Sequence, residues 1–127
     1  MGASVPYSCL ITKKRVLFEF ESSPFLGDRL VQGARMALSL AMDANVTLLY
    51  RGAASILAGD TVRFRHPSRD VHDQERFLIE MVTPIHVLSD DWDLYRKCGL
   101  TLRTSVTVVD RGAVHDLHIH SDLVFTI

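Results

Sequence analysis

The chain has 127 residues, of which 47% are hydrophobic and 23% charged, so one domain with an ordinary packed core is expected. Its formal net charge of −1 argues against direct binding of nucleic acid, which usually requires a basic face. No apolar run approaches the roughly 20 residues of a membrane span, and no basic and then apolar leader is present. We therefore expect a cytoplasmic protein that binds neither nucleic acid nor membrane.

The first part of the sequence predicts an extension, a strand and a helix. Residues 1–12 form the N-terminal extension, and the domain is expected over residues 13–127. Val16–Phe20 is predicted to be a strand and has apolar residues on both faces, which is typical of a strand covered by helices. A helix is predicted over residues 29–43, with Asp28 as its N-cap.

The middle of the sequence predicts shorter elements. Val46–Tyr50 is the second strand, and a short helix over Ala53–Leu57 stops at Gly59. Thr61–Arg65 alternates between apolar and polar residues, which favours an exposed strand or a hairpin edge. A helix over Gln74–Met81 follows, and three of its residues are expected to pack on one side: Phe77, Leu78 and Met81.

The last third of the sequence continues the alternation of strand and helix. A strand at Ile85–Leu88 leads into an acidic helix start and a helix over Trp92–Lys97, which Gly99 ends. Val106–Asp110 is the next strand, and Leu123–Ile127 is the last. Strands that alternate with helices predict a three-layer α/β domain with a mainly parallel sheet.

The order of these elements and the residues within them resemble the sulfur-relay family DsrE/DsrF/DsrH, and most closely its DsrH (TusB) branch. The resemblance rests on a Ser23-Pro24-Phe25 turn after the first strand and on Ile85–Asp91, where a strand enters an acidic helix start. It continues through the helix ending Lys97–Leu100 and the valine-rich strand Val106–Asp110. It covers roughly residues 15–127.

The resemblance implies a DsrE/F/H-like fold, a homo- or hetero-oligomer, and protein thiols as sulfur donors and acceptors. Carriers of this family hold sulfur as a cysteine persulfide near the end of the strand that precedes this helix. The corresponding stretch, Val87–Asp91, contains no cysteine, and neither does Phe25–Leu30 after the Ser-Pro turn. The family's reactive thiol therefore carries over to no residue of this chain.

Cys98 is the first candidate for a sulfur carrier, and it replaces the arginine that is usual in the family's Arg-Gly-Leu helix ending. Arg96 and Lys97 beside it would lower the pKa of its thiol, while the carboxyl end of the helix dipole would raise it. The alternative is a small residue packed at a helix end. Cys9, on the extension, is the second candidate, and its alternative is a place on an extra strand or a disordered tail.

The C-terminal histidines form a weak candidate for a metal site. His115, His118 and His120 are close in sequence and have Asp116 and Asp122 nearby, which are ligand types that zinc accepts. A strand would put His118 and His120 on one face, whereas a helix would make His115 and His118 neighbours. A subunit contact or a solvated surface is the alternative.

Two further features have structural interpretations. His86, in a central strand, is predicted to be a buried histidine with its hydrogen bonds satisfied rather than a general base. Asp90 and Asp91 are predicted to cap the helix that they begin. The sequence contains no phosphate-binding glycine loop and no Gly-x-Ser-x-Gly elbow, so no cofactor is expected.

Two hypotheses from different classes follow. The first is a sulfur-relay protein that carries a persulfide on Cys98, or else on Cys9, for tRNA thiolation or sulfur oxidation, with at most a sulfurtransferase-like activity. The second is a non-catalytic oligomer subunit or ligand-binding module of the same fold, in which both cysteines are structural. A metal-binding protein that uses the C-terminal histidines is a third possibility.

Overall fold

The structure is a computed structural model that describes residues 13–62, 64–66 and 69–127. The predicted extension over residues 1–12 lies outside this part. In chain order the elements are β1 Arg15–Phe20, α1 Arg29–Ala41, β2 Asn45–Tyr50, a 3-10 helix Gly52–Ala58, α2 Val71–Glu80, β3 Ile85–Leu88, α3 Ser89–Lys97, β4 Val106–Val109, α4 Arg111–His120 and β5 Leu123–Thr126. No helix of the described chain is long and apolar enough to cross a membrane.

The five strands form one parallel sheet in the order β4-β3-β2-β1-β5. The chain moves outward in one direction from β1 to β4 and then crosses back through α4 to place β5 on the other side of β1. β1 is an interior strand, and its Phe18 is paired with Leu48 of β2 on one side and with Phe125 of β5 on the other. Its apolar sequence agrees with a strand that helices cover on both faces. The predicted α/β fold with a mainly parallel sheet is therefore confirmed.

The two faces of the sheet are covered unequally. A large core fills the face that α1, the 3-10 helix, α2 and α3 cover, and it includes Phe18, Phe20 and Tyr50. A small core fills the other face, where Leu17, Leu49 and Leu88 pack against α4. This makes three layers, and α4 stands alone on its side among the described helices. The ends of the strands are consequently open to solvent around α4.

Helix α2 begins one turn earlier than predicted, at Val71 rather than Gln74. The reason is Asp70, whose side chain accepts a hydrogen bond of 2.9 Å from the backbone N–H of His72 and so caps the helix. The sequence pattern missed this start because a valine and a polar pair do not by themselves mark a first turn.

The buried face of α2 also differs from the prediction. Leu78 is buried as expected, but Phe77 and Met81 are exposed. The face turned to the core carries Val71, Glu75 and Leu78, which recur at helical spacing. The prediction was wrong because it considered only the apolar residues of the helix, whereas a glutamate occupies the centre of the buried face.

Two smaller predictions were also wrong. The described residues within Thr61–Arg65 form no strand, and instead Gly59 makes an isolated antiparallel bridge with Leu102. Asp28 occupies the N-cap position of α1 but makes no capping bond with its side chain. Its carboxylate accepts a hydrogen bond from the Gln32 side chain instead.

Candidate functional site

A buried carboxylate marks the carboxyl edge of the sheet. Glu19 is only 2% exposed, and it is the one charged residue among the buried, apolar residues of β1. It lies two residues after Leu17 and so faces α4 rather than the large core. An isolated buried carboxylate costs several kcal/mol, so it requires partners.

Arg51 is the first partner of this carboxylate. It follows β2 directly, and its Nη1 forms an ion pair with Glu19 Oε1. The same nitrogen lies 3.9 Å from Glu21. The hydrogen bond to Glu19 raises the pKa of Arg51 above its ordinary value, while partial burial opposes the rise. Arg51 is therefore a fixed positive charge.

His118 of α4 is the second partner. Its Nε2 lies 2.9 Å from Glu19 Oε2, although the contact is not aligned as a regular hydrogen bond. The imidazole side chain is 38% exposed. Its Nδ1 has no hydrogen-bond partner among the described residues and is accessible. Each oxygen of Glu19 thus contacts a different cationic or basic group.

The two aspartates at the start of α3 connect neighbouring elements. Asp91 Oδ2 accepts a hydrogen bond of 2.7 Å from the backbone N–H of Gly52, and Asp90 Oδ2 accepts one of 2.8 Å from Arg111 Nε. The predicted capping bonds are not made, because Leu88 occupies the N-cap position. Both carboxylates still lie in the first turn, where they complement the helix dipole.

These groups surround a cleft of about 550 Å³ at the carboxyl edge. Ligands of open parallel sheets bind at this edge, where the order of the strands reverses. The ion pairs Glu19–Arg51 and Asp90–Arg111 are each neutral overall. Asp91 is therefore the one carboxylate among these described residues that has no ion-pair partner. The cleft is lined by Arg51, Leu88, Asp90, Asp91, Arg111, Val114, His115 and His118. Its chemistry therefore suits a small polar molecule better than a phosphate.

A second cavity, of about 380 Å³, lies against α4 near the opposite edge of the sheet. His86 faces it and is half-buried, which lowers the pKa of its imidazole. Its Nδ1 is buried without a hydrogen-bond partner in the described chain, so the prediction of a satisfied histidine was wrong. The lining is Arg15, Val16, Asn45, Thr47, His86, Val109, Ala113, Asp116, Leu117, His120 and Ser121.

Cys98 lies away from the cleft. It follows the last residue of α3, whereas Asp90 and Asp91 lie in the first turn of that helix, so the thiol is at the opposite end. Cys98 is exposed in the single chain. Cys9 lies outside the described residues.

The three C-terminal histidines do not converge. The segment is helical, so His115 and His118 both line the carboxyl-edge cleft, while His120 lines the second cavity. His120 Nδ1 lies 2.8 Å from the backbone oxygen of Asp116. Among the described residues, no three His, Cys, Asp or Glu side chains are grouped as metal ligands. The strand alternative was wrong.

Two residues of the site, Glu19 and Arg51, were missed by the sequence interpretation. The available signal was a single charge within the otherwise apolar Val16–Phe20 strand. Such a charge in a strand that is covered on both faces must find a partner. Arg51 directly after the adjacent strand was the obvious candidate.

The comparisons with known proteins show the fold. No protein-family model matches the sequence, and no curated protein sequence matches it. Among solved structures, the ychN protein from E. coli is similar, with a TM-score of 0.78 and 15% sequence identity over 91% of this chain and 100% of that chain. At this identity the likeness concerns the fold alone. The chain thus has the α/β fold of ychN, which confirms the DsrE/F/H-like fold class predicted from the sequence.

Proposed function

We propose that the chain is a ligand-binding module that holds a small polar molecule in the carboxyl-edge cleft. The observation that carries this proposal is the buried Glu19, which lies between Arg51 and His118, two residues that line the cleft. A leucine at this position would cost less, since buried ion pairs seldom add more stability than apolar residues of similar volume. The distinguishing feature of Glu19 is that both of its partners line the cleft, where they can contact a bound molecule.

Binding can be tested by following backbone amide NMR signals while small amides, amino acids and sugars are added one at a time. We expect shifts at Gly52, Asp91 and His118, with little change at Asn45 beside the second cavity. Shifts confined to the second cavity, or no shifts with any of these probes, would contradict the proposal.

A matched pair of variants locates the binding. His115 and Asp116 are adjacent and exposed on α4, but His115 lines the carboxyl-edge cleft and Asp116 lines the second cavity. His115→Trp fills the cleft and is expected to abolish the shifts. Asp116→Trp adds the same bulk to the other cavity and is expected to preserve them. Equal effects of both variants would argue for a general disturbance of α4.

Sulfur transfer of the DsrE/DsrF/DsrH type, as in the DsrH branch, is the second candidate function, and the exposure of Cys98 favours it. A partner's thiolate or persulfide can reach an exposed thiol, as transfer between proteins requires. In this scheme Cys98 accepts sulfane sulfur from one protein and passes it to a thiol of another, in a reducing cytoplasm.

Intact mass tests this second function. The chain is incubated with a persulfidated sulfurtransferase and compared with its Cys98→Ser variant. A gain of one sulfur in the wild type alone supports transfer through Cys98. A gain in both assigns the sulfur to Cys9, and a gain in neither rejects the relay function.

A further inference from the structure

We propose that the carboxyl-edge cleft is a general-base site in which His118, held by Glu19, activates water for the hydrolysis of a small uncharged ester or amide. This inference rests on the proposed function, because it requires that a small molecule enters the cleft.

The tautomer of His118 depends on its contact with Glu19. Glu19 is paired with Arg51 and is therefore ionised, and an ionised carboxylate can only accept hydrogen bonds. His118 Nε2 lies 2.9 Å from Glu19 Oε2 without the alignment of a regular hydrogen bond. At this distance a nitrogen lone pair would be repelled by the carboxylate oxygen, so the proton is favoured on Nε2. Neutral His118 is consequently protonated at Nε2 and has its lone pair at Nδ1.

The lone pair at His118 Nδ1 is open to the cleft. His118 lines the cleft, and its Nδ1 has no partner in the described part of the chain. A histidine whose tautomer is fixed by a buried carboxylate, and whose other nitrogen faces a cleft, has the arrangement of a general base. The same arrangement occurs at metal sites, but no set of three metal ligands is grouped among the described residues.

Water is the nucleophile available in the cleft, because the described residues that line it include no serine, threonine or cysteine. Arg51 uses Nη1 for Glu19, and its side chain is still 35% exposed. A guanidinium has five N–H donors, so Arg51 can donate others to an oxygen that becomes negative beside His118.

These groups define the reaction. An O–H bond of water breaks, its proton moves to His118 Nδ1, and the oxygen forms a bond to the carbonyl carbon of the substrate. The carbonyl electron pair moves to its oxygen, which Arg51 stabilises. When the intermediate collapses, the bond to the leaving alcohol or amine breaks, and the leaving group takes the proton from Nδ1. The products are a carboxylic acid and an alcohol or amine, without any change of oxidation state.

The test uses p-nitrophenyl acetate and the full chain. We expect the wild type to release p-nitrophenolate faster than an equal concentration of free imidazole, and more slowly in D2O. His118→Gln should lose at least about tenfold of this rate. His120→Gln, whose histidine lines the other cavity, should retain the rate and controls for surface histidines. A wild type no faster than imidazole, or an active His118→Gln variant, would overturn the proposal.

Glu19 is a positioning residue, and a spectroscopic readout separates this role from a structural one. The amide of Glu19→Gln can accept from Nε2–H through oxygen or donate to Nε2 through nitrogen, so it fixes neither tautomer. Long-range 1H–15N spectra of His118 should show Nε2–H in the wild type and a mixture in this variant. Equal tautomer populations in both would contradict the assignment.

Failure of this inference is distinguishable from failure of the proposed binding function. If small molecules still shift the amides of the cleft while p-nitrophenyl acetate is not hydrolysed, the cleft binds without catalysing. If His115→Trp abolishes the amide shifts but leaves hydrolysis unchanged, the hydrolysis occurs elsewhere and the assignment to His118 is wrong.

Discussion

Glu19 and Glu75 are both buried carboxylates paired with an arginine, yet their surroundings differ. Glu19 contacts two residues that line a cleft, since the partly exposed Arg51 meets one of its oxygens and His118 the other. Glu75 is 0% exposed, and Arg103 Nη2 lies 2.6 Å from its Oε2. Arg103 also donates a hydrogen bond to the backbone oxygen of Leu57. It therefore connects α2, which carries Glu75, to the 3-10 helix, which carries Leu57.

Glu19 is therefore a carboxylate beside a candidate site, whereas Glu75 is a carboxylate that acts only within the fold. Burial raises the pKa of Glu75 to about 7, although the nearby charge of Arg103 opposes the rise. Neither oxygen of Glu75 makes a hydrogen bond of regular geometry in the described chain, so the carboxylate is incompletely compensated. A group sealed in this way can affect stability but cannot meet a ligand, whereas Glu19 acts on groups that can.

The largest effect is expected from Arg103→Met, which leaves Glu75 sealed without its counter-charge. Removing one partner of a buried pair costs about 3 to 5 kcal/mol, so the free energy of unfolding should fall by about that amount at pH 8. Urea denaturation measures it. The double variant Arg103→Met with Glu75→Leu should recover most of the loss, and failure to recover would mean that Arg103 acts through Leu57 instead.

The next effect concerns pH. The folded chain holds the Glu75 proton up to about pH 7, whereas the ordinary pKa of a glutamate is 4.5. The folded state therefore binds more protons between these values, and the stability from this group is full below about pH 4.5 and is lost as pH rises through 7. The shift corresponds to about 3 kcal/mol.

Urea denaturation of the wild type and of Glu75→Gln at pH values from 4.5 to 8 isolates this contribution. The wild type should lose stability relative to the variant across that range. Parallel curves for the two chains would show that Glu75 titrates near its ordinary value and would remove the contrast with Glu19.

A smaller loss is expected from Arg51→Met, the counterpart of Arg103→Met at the open site. Because Arg51 is partly exposed and water in the cleft can reach the site, its loss should cost about 1 to 2 kcal/mol. The same urea titration at pH 8 measures it. If Arg51→Met costs as much as Arg103→Met, the distinction between an open and a sealed pair is not energetic.

The smallest effect is expected from Cys98→Ser. The thiol is exposed at the end of α3, and exposed positions outside special contacts tolerate such changes. The midpoint of urea denaturation should not move measurably. A clear decrease would show that Cys98 packs against a partner, as in an oligomer subunit.

The sequence predicts the fold well because its signals are local and repeated. The apolar strand Val16–Phe20 and the alternation of strands with helices specify a covered parallel sheet. The helix start at Asp70 was missed because a cap depends on a single hydrogen bond. The buried position of Glu75 was missed because its partner, Arg103, is distant in sequence.

The candidate site was predicted less completely, for a related reason. Asp90, Asp91, His115 and His118 were singled out, but each was interpreted within its own segment. Their proximity depends on the sheet, which brings β1, the end of β2 and α4 together around Glu19. No local pattern predicts that meeting, because it follows from the order of the strands.

The return of the chain to β1 also has a kinetic consequence. Asp122 accepts a hydrogen bond from the backbone N–H of Arg15, across 107 positions of sequence, and β5 pairs with β1 along its length. Contacts of such separation form slowly. Most of the large core lies on β1 to β4 and their helices, whereas half of the residues that line the cleft lie on α4, directly before β5. We therefore expect the cleft to form no earlier than the last crossover of the chain.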